Sequence, residues 1–277
     1  MKFLVFTFLL LSLFNQSSFA DSTFVAPSYF FTYGDYSNKS YSISNAVYLS
    51  TYLTDRITLV NHYEYLNINL RKDSTYKQHT LLGGAIVNFF PYYLKFFYSY
   101  KRGDYLIDNN KIYSDHTNLY SIEAIYYRNL FYLGLSYSFE NAIGILNTNN
   151  LTHQQIHQVT GRIEYIVSPS LYSSLRPNYS ALKDGRKLYS VSGKVTYFPI
   201  ISTSIKLYGF YGERAYYFDN DILTLFNQDE TQKYQAGIQL DYYPSYYMML
   251  STGFQHTKFQ SFSINYFVAG IRYGLFI

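Results

Sequence analysis

His157-Gln-Val-Thr-Gly-Arg-Ile-Glu-Tyr-Ile-Val167 is the stretch on which the fold turns. Read at period two, one row holds Val159, Gly161, Ile163, Tyr165 and Val167, and the other holds Gln158, Thr160, Arg162 and Glu164. A helix would scatter both sets around its circumference, whereas a strand sends them to opposite faces. The same parity recurs at 203–211, where Ile205, Leu207, Gly209 and Tyr211 oppose Ser204, Lys206 and Tyr208. At the chain end Phe267, Ala269, Ile271, Tyr273, Leu275 and Ile277 oppose Tyr266, Gly270, Arg272 and Gly274.

Outward from these segments, the chain from Ser28 divides into alternating stretches of about ten residues each. Their connections alternate in length. The short ones fall at Thr54-Asp55, Pro91-Tyr92, Arg128-Asn129, Ser168-Pro169-Ser170, Pro199-Ile200-Ile201 and Pro244-Ser245. The longer, polar ones cover roughly 38–44, 68–76, 101–114, 140–152, 180–187, 215–230 and 256–262. That rhythm predicts an all-β, antiparallel, up-and-down β-barrel of about fourteen strands, with twelve as the near alternative should the Tyr-rich start (28–53) be misread. Both termini then share an end with the tight turns, and the longer segments, 101–114, 140–152 and 215–230 among them, project from the other end. A soluble sandwich has no reason to keep its long loops on one side.

Composition points the same way. Aromatic residues make up 21% of the chain, with 36 Tyr, 23 Phe and no Trp, while charged residues make up 14%, below the roughly 25% of soluble domains. Such a surface suits lipid, with tyrosines at its two interfaces, although composition alone leaves a secreted, Tyr-rich sandwich open. With no Cys there are no disulfides and no thiolate chemistry. The formal charge is +4, or 4 − 1 = +3 without Lys2, too mild to argue for nucleic acid. Residues 1–20 carry Lys2, an apolar run from Phe3 to Phe14 and the small-x-small end Ser18-Phe19-Ala20, the order of a cleaved secretory signal peptide. Residues 21–277 would then be the barrel.

Four strands entering tight turns resemble one another: Gly84-Ala-Ile-Val-Asn-Phe-Phe-Pro, Gly161-Arg-Ile-Glu-Tyr-Ile-Val, Gly193-Lys-Val-Thr-Tyr-Phe-Pro and Gly237-Ile-Gln-Leu-Asp-Tyr-Tyr-Pro. Together with the signal peptide and the strand rhythm, they make residues 21–277 resemble the Gram-negative outer-membrane β-barrel superfamily, and more narrowly the YaiO-like barrels. The first resemblance implies a place in the cell outer membrane, contact with its lipid, and recognition of the C-terminal strand by the barrel assembly machinery. The final strand departs from the family pattern by ending on Ile277, with Phe276 one place early. The narrower resemblance implies a tie to polysaccharide export.

Inward parity gathers charge. Arg162, Arg176, Lys194 and Lys206 lie on four consecutive strands at similar distances from the tight turns, with Arg272 at like depth on the last strand. Glu64, Glu123, Glu164 and Asp241 are the inward acids. Two readings stay open: a basic constriction that draws anions into a narrow pore, or internal salt bridges that stiffen and plug the barrel. Inward aromatics (one of Tyr126 and Tyr127, Tyr208, Phe210) offer stacking faces for a sugar or simply fill space. The expected role is therefore a porin-like channel for an anionic or sugar solute, against an outer-membrane hydrolase or a non-transporting adhesin or scaffold. His116-Thr117-Asn118 lacks the serine of a lipid hydrolase site, and Asp219 and Asp221 have only His256 near them in sequence as a protease-like partner. No catalytic residue, metal site or cofactor is assigned, because the six histidines show no ligand spacing.

Overall fold

Period-two segments become paired strands because each backbone N–H and C=O must find a partner, and a closed ring of strands leaves none unpaired at an edge. In the computed structural model, which describes residues 23–70, 74–108, 110–146, 151–226 and 230–277, the strands run β1 (Phe24–Tyr36), β2 (Tyr41–Tyr52), β3 (Ile57–Asn69), β4 (Ser74–Phe89), β5 (Tyr92–Ile107), β6 (Asn110–Arg128), β7 (Phe131–Leu146), β8 (Leu151–Ser168) and β9 (Leu171–Leu182). They continue with β10 (Lys187–Ile200), β11 (Thr203–Arg214), β12 (Tyr217–Asp219), β13 (Thr224–Phe226), β14 (Gln232–Ser245), β15 (Met248–Phe259), β16 (Ser263–Tyr273) and β17 (Leu275–Phe276). Neighbours in sequence pair antiparallel, β14 follows β11 around the wall, and β16 returns to β1. Since β17 prolongs β16, the ring is a closed barrel of 14 strands. The segment 1–20, expected from its sequence to be a signal peptide, lies outside the described residues.

Closure is set by register. Ser28 faces Arg272 and Tyr36 faces Ile264 along the β1–β16 seam. Beyond Gly274, Phe24 and Val25 meet Phe276 and Leu275. Thr23 and Ile277 exchange two backbone hydrogen bonds, at 3.1 and 2.8 Å.

The tight turns fall within two residues of their expected places. At the β6–β7 turn both Asn129 and Leu130 have positive φ (47° and 74°), the backbone of a two-residue turn whose twist suits a hairpin. The other end differs from expectation. Residues 101–107 and 110–114 are strand rather than loop: Lys101 faces Thr117 and Gly103 faces Asp115. Much of 140–152 is strand as well, as in the pairing of Glu140 with Ile156. Polarity suggested loops there, but strands of 16 to 19 residues from β4 to β8 exceed the 9–11 or so that cross a bilayer. Their ends pass beyond any apolar band, where polar side chains cost nothing. This side of the wall is taller than the opposite one, where β15 has 12 residues and β16 has 11.

Outside, Val47, Leu81, Leu135, Leu207 and Ile238 form an exposed aliphatic belt. Aromatic rings flank it: Phe90, Tyr92, Phe131 and Tyr197 towards the turns, and Tyr41, Tyr120, Tyr189 and Tyr211 towards the loops. Of the four mid-strand glycines, Gly84 and Gly237 point into the lumen, where a Cβ would strike the rings of Phe97 and Tyr208. Glycine here makes room for large lumen side chains.

Candidate functional site

The lumen is crossed by part of the chain itself. Residues 215–230 were expected to project outward, but β12 and β13 form a hairpin folded into the barrel. Its sequence explains this placement: Phe218, Leu223 and Leu225 are apolar, and an outward loop would leave them in water. Instead Phe218 (1% exposed) and Leu225 pack against Leu82, Phe97 and Leu119 of the wall, with Leu223 beside them. The gain for burying each such side chain is about 1.5–3 kcal/mol.

Polar contacts fix the hairpin's height. The Gln158 amide donates to the Phe218 carbonyl (2.9 Å) and accepts from the Phe218 N–H (3.0 Å), standing in for a neighbouring strand. Ser121 donates to Asn220 (2.9 Å), and Tyr48 reaches the Ile222 carbonyl (3.5 Å). At its root Arg214 is held between the rings of Phe210 (3.9 Å) and Tyr217 (4.0 Å) while donating to Ser190 (2.8 Å). The hairpin thus touches wall strands from β2 round to β10.

Its tip brings a carboxylate to the cations. Asp221 Oδ1 lies 2.7 Å from Arg162 Nη2 and 3.6 Å from Lys95 Nζ. Its Oδ2 is paired with Arg176 Nη2 and lies 3.4 Å from Lys194 Nζ. Asp219 adds a longer contact to Arg176, at 3.8 Å. Wall acids complete the set: Glu123 accepts from Arg162 (2.5 Å) and faces Lys95 (3.0 Å), while Glu164 lies 2.6 Å from Arg162 and 2.7 Å from Arg176. Four wall cations against two wall acids leave 4 − 2 = +2, and Asp219 with Asp221 brings the sum to zero. Asp221 belongs to a connection, not to a wall strand. Desolvation opposes its ionisation, but Arg162, Arg176, Lys95 and Lys194 outweigh that effect and hold its carboxyl well below the ordinary 3.8.

The structure therefore brings Arg162, Arg176 and Lys194 together with Glu123 and Glu164. Lys206 stands apart, 2.6 Å from the fully buried Asp241, which also accepts from Ser204 (3.2 Å). Arg272, opposite Met249 and Ser28, joins neither group. Glu64 accepts from Ser44 (2.5 Å) in another part of the lumen. Tyr127 is the inward member of its pair, its ring tilted against that of Tyr132 (4.7 Å). His256 bonds Asn265 (2.7 Å), while Asp219 and Asp221 are committed to arginine. Sequence reasoning missed Lys95 and the place of Asp221. Inward parity on β5 could have found the first, and the apolar residues inside a nominally exposed loop hinted at the second. No group of three or more His, Asp or Glu suited to a metal occurs among the described residues.

Below the tip, towards the turns, lies a cavity of about 460 Å³ lined by Phe24, Tyr52, Arg56, Ile86, Asn88, Tyr93, Tyr246 and Phe276 among others. Ile86 stands opposite Lys95 in register, so this vestibule adjoins the ion-pair cluster.

No known family pattern and no curated protein matches the sequence. Solved structures do. The barrel resembles the CymD monoaromatic hydrocarbon channel with a TM-score of 0.61 and 7% identity, over 91% of this chain and 88% of that one. The toluene transporter TodX of P. putida gives 0.54 and 6%, over 92% and 90%. CdiB from Acinetobacter baumannii gives 0.55 and 9%, over 90% of this chain and 60% of that one. At these identities the likeness is one of fold alone.

Proposed function

We propose that this chain is an outer-membrane channel for small solutes, closed at rest by the 217–226 hairpin and biased towards anions when open. Residues 1–20 would direct export and be removed. The C-terminal strand would be read by the barrel assembly machinery, and the tight turns would face the periplasm. The observation that carries the reading is a carboxylate on a folded-in loop neutralising a cationic ring inside a lipid-belted barrel. A structural salt bridge needs no such loop, whereas a gate does. The likeness to outer-membrane channels supports the fold side of the argument.

With the hairpin withdrawn, Lys95, Arg162, Arg176 and Lys194 outnumber their wall acids, and charge in a narrow tube focuses its field on passing ions. Replacing 217–226 by a short Gly-Ser link should raise single-channel conductance of the refolded protein in a planar bilayer. Adding Arg162→Gln, Arg176→Gln, Lys194→Gln and Lys206→Gln to that opened form should lower its anion-to-cation permeability ratio in a salt gradient. A hairpin-deleted barrel that folds but stays silent sinks the channel reading. An unchanged ratio leaves the channel and removes its selectivity.

A further inference from the structure

We propose that the ring around Asp221 is a carboxylate-binding socket occupied by the chain's own side chain, and that a solute carboxylate with an apolar or aromatic body displaces it. The proposal rests on the channel reading and names its solute class.

The footprint is specific. Each Asp221 oxygen meets two cations, Oδ1 with Arg162 and Lys95, Oδ2 with Arg176 and Lys194. The cations come from β5, β8, β9 and β10, so their convergence does not depend on the hairpin's own backbone. Once the hairpin carries Asp221 and Asp219 away, the wall holds an excess charge of +2 around a site shaped for two oxygens. A solute anion is therefore the natural replacement, and planar guanidinium groups favour a carboxylate. The neighbouring vestibule then selects the rest of the molecule. Its lining includes the rings of Phe24, Tyr52, Tyr93 and Phe276 and the side chain of Ile86, which adjoins Lys95. In that lining the side-chain Oδ1 of Asn88 is buried without a hydrogen-bond partner, one acceptor left for a polar substituent. Because solute and Asp221 compete for the same cations, binding shifts the hairpin from docked to undocked.

The chain has no cysteine, so a single introduced thiol reports on the hairpin. Asn220, buried against Ser121, is suited to Asn220→Cys. Thr224→Cys on the other arm is a second reporter in case the first weakens docking. In refolded full-length barrel at constant ionic strength, maleimide labelling of both should rise saturably with benzoate, about five-fold or more if docking and binding share these cations. Acetate should require higher concentration, lacking the apolar body, and neutral benzamide should do nothing. Arg162→Gln with Arg176→Gln should label fast without anion and lose the benzoate response. Labelling that is flat, that follows chloride equally, or that follows benzamide as well as benzoate overturns the socket. The channel reading fails separately: a saturable benzoate response with a silent hairpin-deleted barrel keeps the socket and loses the channel. A conducting deleted barrel with flat labelling does the reverse.

Discussion

Leu130 holds φ at 74° beside Asn129 at 47°. A branched side chain pays about 1–2 kcal/mol to sit in the left-handed region, and glycine does not. Leu130→Gly should therefore stabilise the barrel by roughly 1 kcal/mol, less the entropy glycine adds to the unfolded chain, read as a higher urea midpoint at unchanged slope. A lower midpoint would mean that Leu130, exposed beside the aromatic ring of the turn end, is held by contact with lipid or detergent. Gly84 makes the opposite case. A Cβ there meets the ring of Phe97, which carries Phe218 of the hairpin at 6.1 Å. Gly84→Val should thus loosen the plug as well as the wall, and labelling of Asn220→Cys should increase. The sequence placed a turn at Arg128-Asn129, one residue before Leu130, and Gly84 in mid-strand. Neither φ nor the facing ring could be read there, because both are fixed by the partner strand.

In the proposed channel, closure depends on the hairpin. Removing one partner from a buried ion-pair set costs about 3–5 kcal/mol, since the remaining charges stay buried and unpaired. Asp221→Asn should accordingly release the tip and raise open probability in bilayers, while Asp221→Glu retains the charge and stays closer to the parent. If Asp221→Asn stays shut, the apolar docking of Phe218 and Leu225 alone holds the plug. The pH response has a definite sign. Asp221 has a depressed pKa when docked, so its contribution to docking is full above the ordinary 3.8 and is lost only as pH falls through the lower docked value. Conductance should be flat from neutral pH down to about pH 4 and rise only in stronger acid. Opening between pH 7 and about pH 5 would point to a different titrating group.

For the whole molecule, the paired ends of β5 to β8 and the folded-in 217–226 hairpin take up much of three longer surface loops expected from polarity. Trypsin added to intact cells should cut in the exposed segments at Lys39 and Lys183–Arg186, and should reach Arg56, in the turn between β2 and β3, only after permeabilisation. Chymotrypsin from outside should spare Tyr217, Phe218 and Leu225, because the barrel encloses them. Cleavage at Arg56 in intact cells would invert the topology. Cleavage at Phe218 would place the resting hairpin outside the lumen.

What the sequence determined by itself is local and periodic. Alternation in 157–167, 203–211 and 266–277 gave strands and their inward faces, and the spacing of Pro- and Ser-rich turns gave the strand count and the closed antiparallel ring. These follow from the two-residue repeat of a strand, which any short window contains. It placed Arg162, Arg176 and Lys194 on the lumen face for the same reason. Tertiary structure alone decided which charges meet. Whether Lys206 answers Asp241 or joins the ring depends on the stagger between strands, and Asp221 reaches Arg162, a sequence separation of 59, only because the hairpin folds inward. Inter-strand register and the apolar docking of one loop are non-local balances of free energy, and no window of sequence holds both partners.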